Sequence, residues 1–125
     1  MTIKDEIIAS INQLDRDFNK TGIIKWNIDR LRKCNIKRKP LHPFYIPLRA
    51  STTYSSFCIR VARDWMQWHS GRMGRMRNLL HESVHCAQYD RIRFFKIKYL
   101  NPFSSKFRNQ MEQEAYAFVR NIMGN

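Results

Sequence analysis

Two histidines four positions apart, with a glutamate directly after the first, form the pattern in this sequence best suited to chemistry. On a helix, His81 and His85 lie one turn apart on the same face, so both imidazoles can reach one metal ion. Zinc binds histidine nitrogen at roughly 2.0–2.1 Å, and a catalytic zinc keeps one position open for water. The Glu82 carboxylate can lie beside that position and take a proton from a water that the metal activates. The sequence therefore predicts a zinc site with His81 and His85 as ligands and Glu82 as general base.

A third protein ligand must come from elsewhere in the chain, because two histidines alone make a weak site. His42 lies in a proline-rich segment and His69 in a loop, and both are predicted to be surface residues rather than ligands. Residues 110–118 are predicted to form a helix that carries two better candidates. Glu112 and Glu114 lie on different faces of that helix, and each shares its face with an alanine that would permit close approach to the histidine helix. Both glutamates stay open on these grounds.

The histidine pair followed by this second helix resembles the gluzincin clan of zinc metallopeptidases, which includes thermolysin. The pattern is closer to the minimal gluzincins and to small HExxH proteins of phages and bacteria, in which a second helix reads Glu-x-x-Ala and its glutamate binds zinc. Over residues 76–120, the resemblance implies Glu112 as the third ligand and Glu114 as its neighbour. Gln88 fits a His-x-x-Gln pattern that recurs in some of these small proteins. Tyr116 stands where thermolysin-like enzymes place an aspartate that holds a zinc histidine.

The group that would stabilise an oxyanion is not assigned by the pattern. Four side chains stay open for that role: Tyr89, Tyr99, Tyr116 and His69. Two aromatic residues precede the histidine helix, and Trp65 and Trp68 are predicted to fill the core, with a substrate platform as the alternative.

The elements that must position these residues are predicted from apolar spacing and from its breaks. Residues 3–18 have apolar side chains at helical spacing, and Thr2 can cap this helix with Asp5 three residues on. Residues 23–34 predict a second amphipathic helix. Pro40, Pro43 and Pro47 then exclude a helix over residues 40–47.

The middle of the chain predicts a small amount of sheet. Residues 44–46 and 57–61 look like short strands, which the polar run 50–56 would join. Residues 69–74 contain two glycines and predict a loop. The histidine helix is then predicted to begin near Arg75.

A last helix is predicted from Ser104 or Ser105 to about Met123. Together the elements predict a helix-dominated α+β class, with a minimal zincin-like fold in which a small sheet lies beside the histidine helix and a C-terminal helix brings the third ligand. The 125 residues are predicted to form a single domain in three parts: a helical part over 1–40, strands and loops over 41–75, and zinc-site helices over 76–123.

The composition of the chain limits which binding partners and which cellular locations the sequence predicts. The net charge of +13 predicts non-specific attraction to anionic polymers. The chain has three cysteines, an odd number, and they are far apart in sequence. This predicts free thiols rather than a disulfide framework. No apolar run is long enough to cross a bilayer, and the N-terminus does not have the pattern of a signal peptide. The protein is therefore expected to be cytoplasmic when synthesised, with association with a virion as the alternative.

Three functions follow from these patterns. The leading prediction is a zinc metallopeptidase that hydrolyses an amide bond in a protein or in peptidoglycan, with Glu82 as general base. The first alternative is a phage virion or tail protein on a zincin scaffold, bound to other particle proteins, whose zinc is structural or acts during infection. The second alternative is a basic nucleic-acid-binding protein with an incidental zinc site.

Overall fold

The computed structural model describes residues 2–39, 49–95 and 105–124. Within them, the elements follow one another as α1 (Ile3–Phe18), α2 (Lys25–Lys33), β1 (Asn35–Arg38), β2 (Ser51–Ser55), β3 (Cys58–Val61), α3 (Trp65–Trp68), α4 (Arg72–Phe95) and α5 (Ser105–Met123). Helices dominate and the sheet is small, so the predicted α+β class is confirmed.

The two N-terminal helices form where apolar spacing predicts them. The Thr2 hydroxyl accepts a hydrogen bond from the Asp5 backbone N–H at 3.2 Å, and the Asp5 carboxylate accepts one from the Thr2 N–H at 3.2 Å, which completes a capping box. The apolar face of α1 is buried on the core, and α2 buries Ile28 and Leu31 beside it. These helices therefore form one wall around the centre of the molecule.

The sheet has the strand order β1-β3-β2, with β1 parallel and β2 antiparallel to β3. The strand predicted at 57–61 is confirmed as β3, while the one predicted at 44–46 lies outside the described residues. The prediction that residues 50–56 only join two strands is wrong, because β2 lies within them. Its threonines and tyrosine favour strand structure, and its buried positions carry polar side chains, so the run does not look like a core strand.

β1 lies inside the part of the chain, residues 1–40, that is predicted to be helical. Asn35, Lys37 and Arg38 are exposed and Ile36 is half-buried, so the strand has no apolar run that would mark it. A short, basic edge strand of this kind discourages pairing with another chain. The sequence therefore does not predict β1 or its pairing with β3.

The long helix α4 runs through the middle of the fold. It begins at Arg72, inside the loop predicted over 69–74 and three residues before the predicted start. Successive helical residues point about 100° apart, so neighbouring side chains face different elements. Glu82 faces β2, Ser83 faces α2, and His85 faces α5, as their contacts with these elements show.

The core lies around this helix. The largest fully buried apolar side chains are Trp65, Leu14, Ile24, Ile28, Leu31, Ile59, Met76, Leu79, Leu80 and Val61. The core prediction for the tryptophans is right for Trp65, whose indole N–H donates to Asn78 at 2.7 Å, and wrong for Trp68, which is 48% exposed. Among the helices of the described ranges, none is both long and apolar enough to cross a membrane.

Candidate metal centre

The structure brings together the predicted histidines and one glutamate from the last helix. The Nε2 atoms of His81 and His85 are 3.1 Å apart. One carboxylate oxygen of Glu112 lies 3.2 Å from His81 Nε2, and the other lies 2.9 Å from His85 Nε2. The candidate ligand atoms all lie within 4.8 Å of one another. Helix α4 thus supplies two candidate nitrogen ligands and α5 supplies one candidate carboxylate ligand.

The structure separates the two candidate glutamates. Glu114 faces away from the histidines and pairs with Arg91 at 2.5 Å, where both side chains are exposed to solvent. Because Glu112 is the one that contacts both histidines, it is the residue that could complete the cluster. His42 lies outside the described residues, and His69 is absent from the cluster although it lines the same cleft.

Glu112 is prepared to act as an anionic ligand. Hydrogen bonds from His81 and His85 hold the pKa of its carboxyl well below the usual range, although partial burial acts in the opposite direction. Burial alone would lower the pKa of His85, but the hydrogen bond to Glu112, the charge of Glu82 and the hydrogen bond to Gln88 together raise it. A metal ion bound at the histidine nitrogen would replace the proton that these carboxylates favour.

Gln88 fixes the orientation of one histidine ring. Its side-chain oxygen lies 2.6 Å from His85 Nδ1, and its amide N–H donates to the backbone carbonyl of Met111 at 3.0 Å. Since a carbonyl oxygen only accepts, Nδ1 must carry the hydrogen, and Nε2 can then present its lone pair to a metal ion. This arrangement fits a metal ligand whose second nitrogen is held by an outer partner.

Replacing Gln88 by leucine is expected to lower zinc affinity by about 10–100-fold, the usual effect of losing such an outer partner. The leucine fills similar space but cannot accept the Nδ1–H bond, so the ring loses its fixed orientation. Zinc affinity can be measured by competition with a chromophoric chelator. Gln88→Glu separates the two contacts of this side chain, because it retains the acceptor for Nδ1–H and loses the donor to the Met111 carbonyl, so its zinc affinity should exceed that of Gln88→Leu. Wild-type affinity in Gln88→Leu would show that the contact does not position the ring.

Glu82 lies beside the cluster without belonging to it. Its side chain is 5% exposed, and its Oε2 is 4.0 Å from His81 Nε2. The Thr53 hydroxyl lies 3.0 Å from the other carboxylate oxygen and 3.2 Å from the Glu82 backbone carbonyl. Thr53 is therefore the residue of β2 that holds the predicted general base. Sequence reasoning missed it, because nothing local marks a polar residue of one strand as the partner of a helix 29 residues away.

The cluster opens into a cleft of about 1050 Å³. Tyr116, at the position of the thermolysin-like aspartate, is 59% exposed and packs its ring on His81 with 4.7 Å between ring centroids. Arg49 also lines the cleft, and its guanidinium lies 3.4 Å from the Glu112 carboxylate, a contact that no motif predicts. The exposed ring of Trp68 lies on the cleft wall, so the platform alternative suits that residue.

The side chains considered for oxyanion stabilisation lie in different places. His69 and Tyr116 line the cleft, whereas Tyr89 does not, and Tyr99 is outside the described residues. Burial lowers the pKa of His69, and nearby Arg75 lowers it further, so both effects favour the neutral imidazole. His69 and Tyr116 therefore remain the candidates that the geometry favours.

The donor set of two imidazoles and one carboxylate is one that proteins use for catalytic zinc. Within the described ranges, His81, His85 and Glu112 form the group of side chains close enough together to share one ion. The chain matches no protein-family model, no curated protein and no solved structure in the comparisons made with each. Support for a metal centre therefore comes from the chain's own residues and their geometry.

Proposed function

We propose that this protein is a zinc-dependent hydrolase that cleaves an amide bond in a protein or in peptidoglycan. His81, His85 and Glu112 hold the metal, and Glu82 is the general base. One observation carries the proposal: a second carboxylate, that of Glu82, lies next to three side chains that could together hold one ion, and it faces the same cleft without joining them. A purely structural site has no need of such a group. The resemblance of the motif to gluzincins points in the same direction.

The residues of the chain divide the work as follows. When bound, zinc supplies Lewis acidity, which polarises a carbonyl group and makes water a stronger acid. Glu82 accepts the proton of the attacking water and then donates it to the amine that leaves. Thr53 fixes one oxygen of that carboxylate, so the other stays directed toward the cleft side of His81. Gln88 holds the His85 ring in the tautomer that leaves Nε2 available.

The cleft is suited to a polymer segment rather than a very small molecule. Its volume of about 1050 Å³ is at the upper end of ordinary ligand sites, which span roughly 300–1,000 Å³. Exposed aromatic rings and arginines line it beside the metal ligands. A peptide, or the peptide part of peptidoglycan, offers both apolar and charged groups to such a wall.

A structural zinc is the second candidate function. It is favoured by the observation that the ligands come from two different helices, so that a metal ion would join α4 to α5. In that case, zinc would raise the thermal stability of the protein and the chain would cleave nothing. The two candidates share the metal and differ only in turnover.

Removing the metal tests both candidates together. Protein purified without added metal is expected to contain about one zinc ion per chain, as a three-ligand site requires. Protein treated with a chelator should lose the hydrolysis of casein or of cross-linked peptidoglycan, and added zinc should restore it. If the metal-loaded protein cleaves neither substrate while its melting temperature still depends on zinc, the structural candidate stands. A protein with no zinc would contradict both.

A further inference from the structure

We propose that Arg77 and Arg120 form a carboxylate-binding site at one end of the cleft, so that the substrate carries a carboxylate a short distance from the bond to be cleaved. Both arginines line the same cleft as the metal ligands. The part of this inference that concerns a cleaved bond depends on the proposed function. The carboxylate site itself does not, because it can bind a ligand whether or not the protein turns it over.

The two arginines lie toward the same end of the cleft because α4 and α5 run antiparallel. His85, toward the end of α4, contacts Glu112 near the start of α5. Arg77, near the start of α4, contacts the backbone carbonyls of Met123 and Gly124 at the end of α5. The side chains of one helix face therefore meet those of the other in reverse order.

The antiparallel packing of α4 and α5 places their facing side chains in successive levels along the cleft, and each level contains residues of both helices. One level holds His85 and Glu112, and the next holds His81 and Tyr116, whose rings are in contact. Arg77 lies one turn before His81 on α4, and Arg120 lies one turn after Tyr116 on α5, so both belong to a third level beyond the metal ligands.

The charges of the cleft favour an anion at that level. Among the described residues that line it, Glu82 and Glu112 are the acidic ones, and both belong to the metal centre. A divalent ion would balance these two carboxylates. Arg49, Arg77 and Arg120 then leave the cleft with three uncompensated positive charges. Arg49 already contacts Glu112, which leaves the other two for a ligand.

The geometry of Arg77 suits a carboxylate. One of its terminal nitrogens donates to the carbonyls of Met123 and Gly124, which fixes the direction of the guanidinium and leaves its remaining N–H groups for another acceptor. Arg120 is exposed on the facing helix. Planar guanidinium groups bind carboxylates through paired, charge-assisted hydrogen bonds. Two of them at one end of a cleft could hold one such group firmly.

The spacing places the carboxylate close to the cleaved bond. One helical turn between Arg77 and His81 corresponds to about 6 Å along α4. An extended peptide advances about 3.3 Å per residue, so the charged group should lie about two residues from the bond. An acidic side chain and a terminal α-carboxylate both satisfy this requirement.

Calorimetric titration of defined peptides tests the site without requiring turnover. The protein is the full chain, loaded with zinc and carrying Glu82→Gln so that the peptide is not consumed. The peptides are alanine-rich hexamers that differ only in Glu or Gln at one position, and in a free or amidated C-terminus. A peptide whose carboxylate lies about two residues from the bond to be cleaved should bind about 10-fold more tightly than its neutral counterpart. This gain is the one expected of a charge-assisted pair. The four combinations show whether side chain or terminus supplies the carboxylate.

Arg120→Gln is the decisive variant, because Arg120 is exposed and its loss leaves the contacts of Arg77 with α5 intact. It should reduce the preference for the carboxylate to about 2-fold or less. Arg108→Gln is the matched control: it removes the same charge from an exposed position of the same helix, about three turns from Arg120 and beyond the Glu112 end of the cleft, and Arg108 does not line the cleft. It should leave the preference unchanged.

The outcomes separate the two proposals. Equal affinity for charged and neutral peptides, or an equal loss of preference in Arg108→Gln and Arg120→Gln, overturns the carboxylate site. If wild-type protein then still cleaves protein or peptidoglycan, the proposed function stands alone. If the carboxylate preference depends on Arg120 but the zinc-loaded wild type cleaves nothing, the site stands and the hydrolase does not.

Discussion

Replacing Glu112 by glutamine is expected to lower the affinity of the protein for zinc by about a hundredfold or more. Structural zinc sites with four ligands are worth about 10–16 kcal/mol, so one ligand contributes about 3 kcal/mol, which corresponds to more than a hundredfold. Glutamine keeps the shape of the side chain but loses its negative charge. Glu112 is the carboxylate that contacts both histidines, whereas that of Glu82 lies 4.0 Å from His81 Nε2 and outside the cluster. Competition with a chromophoric chelator measures the affinity directly.

Glu114→Gln is the matched control for this prediction. It makes the same chemical change two residues away, where the side chain is exposed and pairs with Arg91. Zinc affinity should stay within about 2-fold of wild type, because an exposed ion pair contributes little. A larger loss in Glu114→Gln than in Glu112→Gln would mean that α5 presents its other face to the histidines, and the assignment of the third ligand would be wrong.

Local patterns account for the parts of the site that the sequence predicts. The two proposed ligands and the proposed base lie within five consecutive residues, so helical geometry alone places His81 and His85 together. Glu112 lies on another helix, and spacing left it open against Glu114. The resemblance to gluzincins favoured the residue that the structure brings to the histidines. The four longer helices were predicted for the same reason, since apolar periodicity is a local property, whereas the one-turn helix α3 lies in the part predicted as strands and loops.

Contacts between distant segments account for what the sequence does not predict. Thr53 belongs to β2, whose buried side chains are polar because they meet α4 through hydrogen bonds rather than apolar packing. Asn27 contacts Ser83 across 56 residues in the same way, at 3.0 Å. Buried polar groups are hydrogen-bonded, but their partners are chosen by the tertiary fold. Arg49 and Arg120 likewise look like ordinary surface cations until the cleft is known.

Replacing Glu82 by glutamine is expected to reduce turnover by about a hundredfold to ten-thousandfold, the range that general acid–base catalysis contributes. The amide cannot accept a proton from water, whereas its oxygen can still accept the Thr53 hydrogen bond, so the side chain should keep its position. The zinc content should stay at about one ion per chain, because Glu82 is absent from the ligand cluster. Rates on the substrate that wild type cleaves, together with metal analysis of the same samples, check both parts.

Turnover and zinc content, measured together in Glu82→Gln, distinguish the role of this residue from that of the ligands. Loss of turnover with zinc retained separates the base from the ligands, whereas Glu112→Gln should lose both together. Glu114→Gln should keep both, since its side chain faces solvent on the far side of α5. Loss of zinc in Glu82→Gln would mean that the carboxylate 4.0 Å from His81 Nε2 moves in to bind the metal. Turnover equal to that of wild type would show that a different group accepts the proton, and His69, which lines the same cleft, would be the residue to replace next.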